Sequence, residues 1–413
     1  MHSFKQLSVP NAKQLFFNDV FVPDKKRGFL PKCPLKELPE YSYLHKELNR
    51  IAKNLPDLIS KKQLRIEIDT LNKQFSESAD LDKILLLNTI QEQNVAMVVL
   101  TMLTQGYIWE SHENPATIIP EIIGNNLENI CKSMQRFPIL SYRDYVLHNW
   151  HLKDPNQGIT LDNVEPIITL TGTEDEKWFI KIHLAIEATC APAIRNIYEA
   201  CLLNFEMNHN MFLKNIQNEL RLIDLLTDGI ALPLREATKI LLKMKDHCNP
   251  EIFYHKLRPL LSGWDEKLSI IFSGNLKTIH LYKGPSGAQS SILPALDEAL
   301  GIKHQVDGMF QHLLTFKQYM PLKHQHFINL LKLRNIQLKP SSSNELITAL
   351  NNTIEEVKRF RYMHLYAMVG RFIYKPAAKQ GISADSITGT GGTPLGDYLS
   401  DRLNDTHLPK AKL

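Results

Sequence analysis

Val357-Lys-Arg-Phe-Arg-Tyr-Met-His-Leu-Tyr-Ala-Met-Val369 lies inside a helical pattern running from Asn344 to Tyr374, with no proline and no glycine before Gly370. Ile347, Leu350, Ile354 and Val357 step by three and four residues, the spacing of one helix face. The same step continues onto Arg361, His364 and Met368. A guanidinium and an imidazole, one turn apart, are thus turned toward what the apolar seam marks as interior. Burial strips both of hydration, so each needs a partner. A hydrogen-bonded core histidine is the plain reading of His364. A haem is the sharper one, because its iron would take the imidazole and a propionate the guanidinium.

Outward from this helix the chain reads as all-α. Helix-period patterns cover Leu44–Asn54, Asp57–Lys73, Asp80–Trp109, Ile118–Gln135 and Tyr142–Trp150. They resume at Glu176–Ala191, Pro192–Ala231, Pro233–Cys248, Pro250–Leu257, Ser290–Leu300, Gln305–Tyr319 and Pro321–Lys332. Several begin with proline, whose missing N–H costs nothing in a first turn. Alternating strand patterns are few, with a short strand or hairpin expected within Gly158–Leu170. Pro10, Pro23, Pro31, Pro34 and Pro39 mark an irregular N-terminal arm. The expected division is a small helical domain over 1–125, including that arm, and a large helical domain over 126–413.

The 413 residues are 43% apolar and 22% charged, with a formal net charge of +4. So small an excess gives no electrostatic case for nucleic acid. Five cysteines, odd in number and without a C-x-x-C pair, argue against a disulfide framework or zinc site and suit a reducing cytoplasm. The longest apolar run, near Ala96–Leu103, falls far short of the roughly 20 residues that span a bilayer. No membrane span or signal peptide is expected, and no C-x-x-C-H would tether a haem covalently. His324-Gln-His326 and His148-Asn-Trp-His151 lack a carboxylate or cysteine to complete a metal set, and read as structural or solvent-facing.

Several short motifs in order carry a family resemblance. Arg361-Tyr-Met-His364 with Gly389-Thr-Gly-Gly-Thr393, Leu260-Leu-Ser-Gly-Trp264, Ser286-Gly-Ala-Gln-Ser-Ser291, Leu300-Gly-Ile302 and Tyr319-Met-Pro321 resemble the indoleamine 2,3-dioxygenases. Pro138-Ile-Leu-Ser-Tyr142, Val146-Leu-His-Asn-Trp150, Lys153-Asp-Pro-Asn156, Gly28-Phe-Leu-Pro31 and Asn54-Leu-Pro-Asp-Leu58 fit the same family, so the likeness extends from about residue 27 to 400.

The resemblance implies a haem b enzyme that inserts O2 across the indole C2–C3 bond of L-tryptophan or a related indoleamine, giving N-formylkynurenine. It implies His364 as the proximal iron ligand and Arg361 on a propionate, with Ser286 and Gly287 beside the cofactor. Phe253 would pack on the indole and Arg258 would bind the amino-acid carboxylate, as guanidinium pairs with carboxylate. Tyr142, Tyr145 and Val146 fall on the distal pocket. A gapless alignment from Trp150 adds Phe179 and His183. Animal members carry serine at the His183 position, whereas the related tryptophan 2,3-dioxygenases have a distal histidine that binds the indole N–H. His183 is expected to do the same, acting with Ser286 as a catalytic group. The glycine-rich loop near 381–394 resembles the family's lid, with Thr390 near the substrate. The expected protein is a cytoplasmic monomer or weak homo-oligomer. Two rivals stand beside this reading: a related haem oxygenase of monooxygenase or rearranging type, and a haem sensor without turnover.

Overall fold

The computed structural model describes residues 21–76, 83–209, 216–266, 268–305, 308–390 and 392–406. Pro10 of the expected arm, residues 80–82 of the Asp80–Trp109 pattern and Gly391 of the lid lie outside them.

The N-terminal helices are α1 (Tyr43–Lys53), α2 (Leu55–Ser60), α3 (Leu64–Ser76), α4 (Ile90–Trp109) and α5 (Glu121–Met134). The single helix expected over Asp57–Lys73 is two, because the chain breaks at Lys61–Gln63 with Lys62 at φ +55°. The pattern expected from Asp80 becomes helix only at Ile90, where Thr89 accepts a hydrogen bond from the Glu92 N–H. Every residue of α4 from Val95 to Trp109 is buried, as a helix apolar all round must be. α5 runs across residue 125, where the sequence division was drawn.

Then come α6 (Glu174–His209), α7 (Ile216–Leu226), α8 (Leu232–Leu242), α9 (Met244–His247), α10 (Pro250–Ile252), α11 (Arg258–Leu260), α12 (Ile292–Leu300) and α13 (Gly308–Lys317). The last are α14 (Leu322–Leu333), α15 (Asn344–Tyr362), α16 (Lys375–Lys379) and α17 (Leu395–Asn404). α6 passes straight through Pro192, where the sequence suggested a break. The lost backbone bond is offset by burial of Cys190, Ala191, Ala193 and Ile194 around it.

Four segments among the described residues widen into π-helix: π1 (Arg143–Leu147), π2 (Thr227–Ala231), π3 (Phe253–Leu257) and π4 (Met363–Tyr374). The helix expected over Asn344–Tyr374 is therefore continuous but changes winding at Met363, one residue before His364. Such π turns re-aim side chains and gather at functional sites.

Strand is confined to short pieces among the described residues. β1 (Ile118–Ile119) pairs parallel with β4 (Ile270–Phe272), which pairs antiparallel with β5 (Asn275–His280). β2 (His151–Leu152) pairs with β3 (Val164–Glu165), so the hairpin expected within Gly158–Leu170 takes its first strand from before the turn. The fold is all-α in class.

The Leu260–Trp264 motif ties α4 to this body. Buried Gln105 donates to the carbonyls of Leu260 (2.8 Å) and Ser262 (2.7 Å) and accepts from the Trp264 indole.

Candidate active site

One cavity of about 270 Å³ collects every residue singled out from sequence: Tyr142, Tyr145, Val146, Phe179, His183, Phe253, Arg258, Ser286, Gly287, Arg361, His364 and Thr390. Its walls come from π1, α6, π3, the Pro285–Ser290 loop, α12, π4 and α17.

One wall is a stripe on α6. Glu176, Phe179, His183 and Glu187 follow each other at steps of three, four and four, which places them on one face. The two glutamates hold π1 against that face. Tyr145 donates to Glu176 Oε1 (2.9 Å) and Tyr142 donates to Glu187 Oε1 (3.0 Å). Glu176 also accepts the backbone N–H groups of Leu170 (2.8 Å) and Thr171 (2.6 Å), which bind the preceding loop to the helix start. Between them, His183 packs on Phe179 at 4.4 Å and meets Tyr142 edge-on at 5.9 Å. His183 Nδ1 lies 2.8 Å from the Phe179 carbonyl. A carbonyl only accepts, so Nδ1 carries the proton and Nε2 keeps a lone pair. Burial lowers the His183 pKa, against that carbonyl's pull, and keeps the ring neutral.

The other wall is π4. His364 makes no hydrogen bond to any described residue. Burial, with His183 adding to it, pulls its pKa down to about 4, so the ring is neutral with a lone pair free for a ligand. Phe372, on the same segment, meets Phe253 at 5.9 Å, and Phe253 meets Phe179 at 5.2 Å. These rings form an apolar bridge between the walls.

Arg361 is not waiting for a partner. Its Nη2 donates to Asp297 Oδ2 at 2.6 Å and its Nη1 to Thr406 Oγ1 at 2.6 Å. Asp297 on α12 also faces His304 Nε2 at 2.8 Å, and His304 Nδ1 lies 3.3 Å from Asp405. Burial pushes the Asp297 carboxyl up, but Arg361 and His304 outweigh it and hold the group below its usual value. Its other oxygen, Oδ1, has no hydrogen-bond partner among the described residues. Asp297 and Glu187 escaped the sequence reading because nothing local marks them: their partners lie 64 and 45 residues away.

The lid sits down on the cavity. Thr390 donates to the Pro285 carbonyl at 2.7 Å, and Arg258 donates to the Thr388 carbonyl. Gly284 is needed at the seat, since a Cβ there would meet the Leu261 carbonyl at 2.2 Å and the Thr390 carbonyl at 2.9 Å. Gly287 is the opposite case: a Cβ would meet nothing within 4 Å. Arg258 lies over the Tyr254 ring at 5.4 Å, and its Nε has no hydrogen-bond partner among the described residues. Burial lowers its pKa.

A haem fits these residues in two respects and meets resistance in a third. The unpartnered neutral imidazole suits an iron, and the apolar walls suit a porphyrin. Arg361 would have to share its guanidinium between Asp297 and a haem carboxylate. Elsewhere, His324 is buried against Ser291 Oγ (3.1 Å), and no cluster of three or more His, Cys, Asp or Glu side chains suited to a metal occurs among the described residues.

Helices closed round an apolar cavity, with two neutral imidazoles on different walls, define a protein built to enclose an apolar group and offer it nitrogen lone pairs. The chain belongs to the indoleamine 2,3-dioxygenase family, whose sequence profile matches residues 19–408, and is thereby an oxidoreductase. It is 31% identical over 402 residues to human indoleamine 2,3-dioxygenase 2, covering 92% of each chain. It is 30% identical to indoleamine 2,3-dioxygenase nanC of Aspergillus nanangensis, over 92% of this chain and 95% of that one. The indoleamine 2,3-dioxygenase of Saccharomyces cerevisiae is 27% identical, over 92% and 90%.

Proposed function

We propose that the protein is a haem b-dependent dioxygenase that places both atoms of O2 across the indole C2–C3 bond of tryptophan or a related indole, yielding N-formylkynurenine. The observation that carries this is His364: a neutral imidazole in an apolar cavity, with no hydrogen bond to any described residue. When bound, the haem supplies oxygen activation and the bond-breaking chemistry. His364 would hold its iron, and Arg361 would hold one of its carboxylates beside Ser286 and Gly287.

The remaining residues bind and orient. Phe253, continuous with Phe179 and Phe372, offers an edge to an indole ring. Arg258 takes the amino-acid carboxylate; its Nε is unsatisfied, and its hold on the Thr388 carbonyl links carboxylate binding to the lid. His183 accepts the indole N–H at Nε2, since its Nδ1 is committed to Phe179. Tyr142, Tyr145 and Val146 shape the distal wall, and Thr390 closes the lid over it, keeping water out.

A second reading, a related haem oxygenase acting on a bulkier tryptophan derivative, draws support from the open space at Gly287. We assign the reaction to tryptophan catabolism in the cytoplasm, through the kynurenine pathway, carried out by a monomer or weak homo-oligomer. No helix among the described residues is long and apolar enough to cross a membrane. The test is an absorption spectrum of the purified protein, followed by mass analysis after the ferrous protein meets tryptophan and O2. A product heavier by two oxygen atoms is expected. One added oxygen would favour the second reading, and no product with an intact haem spectrum would leave a sensor.

A further inference from the structure

The two carboxyls that brace the distal wall are not equivalent. Glu176 is saturated: Oε1 accepts from Tyr145 and Leu170, and Oε2 from the N–H (2.6 Å) and hydroxyl (2.6 Å) of Thr171. Glu187 is 1% exposed and accepts on Oε1 alone, from Tyr142 at 3.0 Å and Ser290 at 2.7 Å. Its Oε2 is buried with no hydrogen-bond partner among the described residues. Tyr142 and Ser290 both line the cavity, whereas Glu187 stands behind them.

This geometry has a consequence for proton positions. A hydroxyl has one hydrogen. While Glu187 is ionised, the hydrogens of Tyr142 and Ser290 both point back to Oε1, and the cavity meets only their lone pairs. A protonated Glu187 must donate. Placing its hydrogen on Oε2 would leave a buried donor unpaired, which is costly. Placing it on Oε1 lets it donate to one of the two hydroxyls, which then releases its own hydrogen toward the cavity.

We propose that Glu187 is a positioning residue whose protonation state decides whether the distal wall offers the ligand only acceptors or also a donor. The surroundings allow the change to occur in the ordinary working range. Burial pushes the Glu187 carboxyl up to about 7, against the hydroxyls of Ser290 and Tyr142. Tyr142 at the start of π1 and Cys190 on α6 are the titratable neighbours, and burial holds both neutral. His183, one turn back on α6, is held neutral by burial too, and Ser290 completes the set. No charged side chain among the described residues contributes to its shift.

The inference rests on the reading that this cavity takes an indole. The probe is therefore coumarin, which is uncharged and carries a carbonyl acceptor and no donor, set against indole, whose single N–H is taken by His183 Nε2. Binding of each to the full-length protein is measured by calorimetry across the range from about pH 5 to 9. Coumarin affinity should fall roughly three- to tenfold as pH rises through about 7, the loss of one net hydrogen bond from the released hydroxyl. Indole affinity should stay flat, and Glu187→Gln should flatten the coumarin profile. Equal profiles for the two probes, or an unchanged coumarin profile in Glu187→Gln, would overturn the proposal.

Infrared difference spectra of the same protein titrate the buried carboxyl without any ligand. A carboxyl band that disappears near pH 7, is missing in Glu187→Gln and moves to higher pH in Ser290→Ala supports the switch even if indole does not bind. In that case only the functional reading fails. Absence of any such titration refutes the switch.

Discussion

The two walls of the cavity each present a neutral histidine and hold it differently. On α6, His183 is fixed at one nitrogen by the Phe179 carbonyl and meets Tyr142, which is itself anchored on Glu187, while Tyr145, anchored on Glu176, meets Phe179. On π4, His364 has no hydrogen bond to a described residue, and the ordering is supplied one turn earlier, where Arg361 joins Asp297 and Thr406. A pinned imidazole with a fixed tautomer is suited to reading one hydrogen-bond donor. An unpinned one leaves both nitrogens available, which suits coordination to a metal and a reply from whatever the bound group brings with it.

The largest effect should follow from removing the unpinned ring. His364→Ala should lose haem, or at least the spectrum of a histidine-ligated haem, while far-ultraviolet dichroism stays that of a helical protein. Retention of the wild-type absorption spectrum would contradict the assignment of the π4 wall as the iron side.

The support of that wall is the next point of attack. Asp297→Asn leaves the Arg361 guanidinium, 8% exposed, facing Thr406 without its carboxylate. Breaking one side of a buried pair costs about 3–5 kcal/mol, read from the midpoint of denaturant unfolding. Added haem should restore part of that loss if one of its carboxylates takes over Arg361. A variant whose deficit is the same with and without haem would remove Arg361 from the cofactor site.

What the sequence reveals about these walls divides along the same line. Twelve of the residues lining the cavity were legible through the family resemblance carried by short ordered motifs, such as Arg361-Tyr-Met-His364 and Ser286-Gly-Ala-Gln, with Phe179 and His183 reached by an alignment run on from Trp150. The helical class was legible from periodicity. Three things were not. A π turn carries no composition of its own, so a regular three-and-four step was extended through Met363–Tyr374, where the winding changes. Pro192 argues locally for a helix end, and only the burial of its neighbours on both sides overrides it. The partners of Arg361 and Tyr142 are single acidic residues brought in by tertiary packing, and no spacing announces them.

Stability against pH probes one carboxyl of the α6 wall, that of Glu187. Glu187 has its folded-state value raised from 4.5 to about 7. Its contribution is therefore fully present below about pH 4.5 and is lost as pH rises through about 7, because ionisation must then occur in the buried site. Glu187→Gln removes that dependence. The variant should gain on the wild type between these limits by up to roughly 3 kcal/mol, the equivalent of the shift, and the difference should level off above them. Denaturant midpoints measured at a series of pH values read this directly. A constant offset between the two proteins at every pH would mean that Glu187 titrates in the folded protein as it does in the unfolded chain.

The smallest effect concerns the pinned ring. In the proposed arrangement, His183 Nε2 accepts the indole N–H, so tryptophan should be favoured over its N1-methyl derivative, which has no hydrogen to donate and adds bulk there. His183→Ala removes the acceptor and opens space at the same point. One net hydrogen bond is worth about 0.5–1.5 kcal/mol, so the ratio of kcat/KM for the two substrates should fall by up to roughly tenfold. The ratio is the informative quantity, because a general loss of activity would follow from loosening the α6 wall and would affect both substrates alike. His183→Gln separates the two causes: it keeps an acceptor of similar reach and should recover part of the discrimination, whereas His183→Ala should not. If the ratio is the same in all three proteins, His183 is a packing residue between Phe179 and Tyr142. The difference between the two walls would then lie in their tyrosines and carboxylates alone.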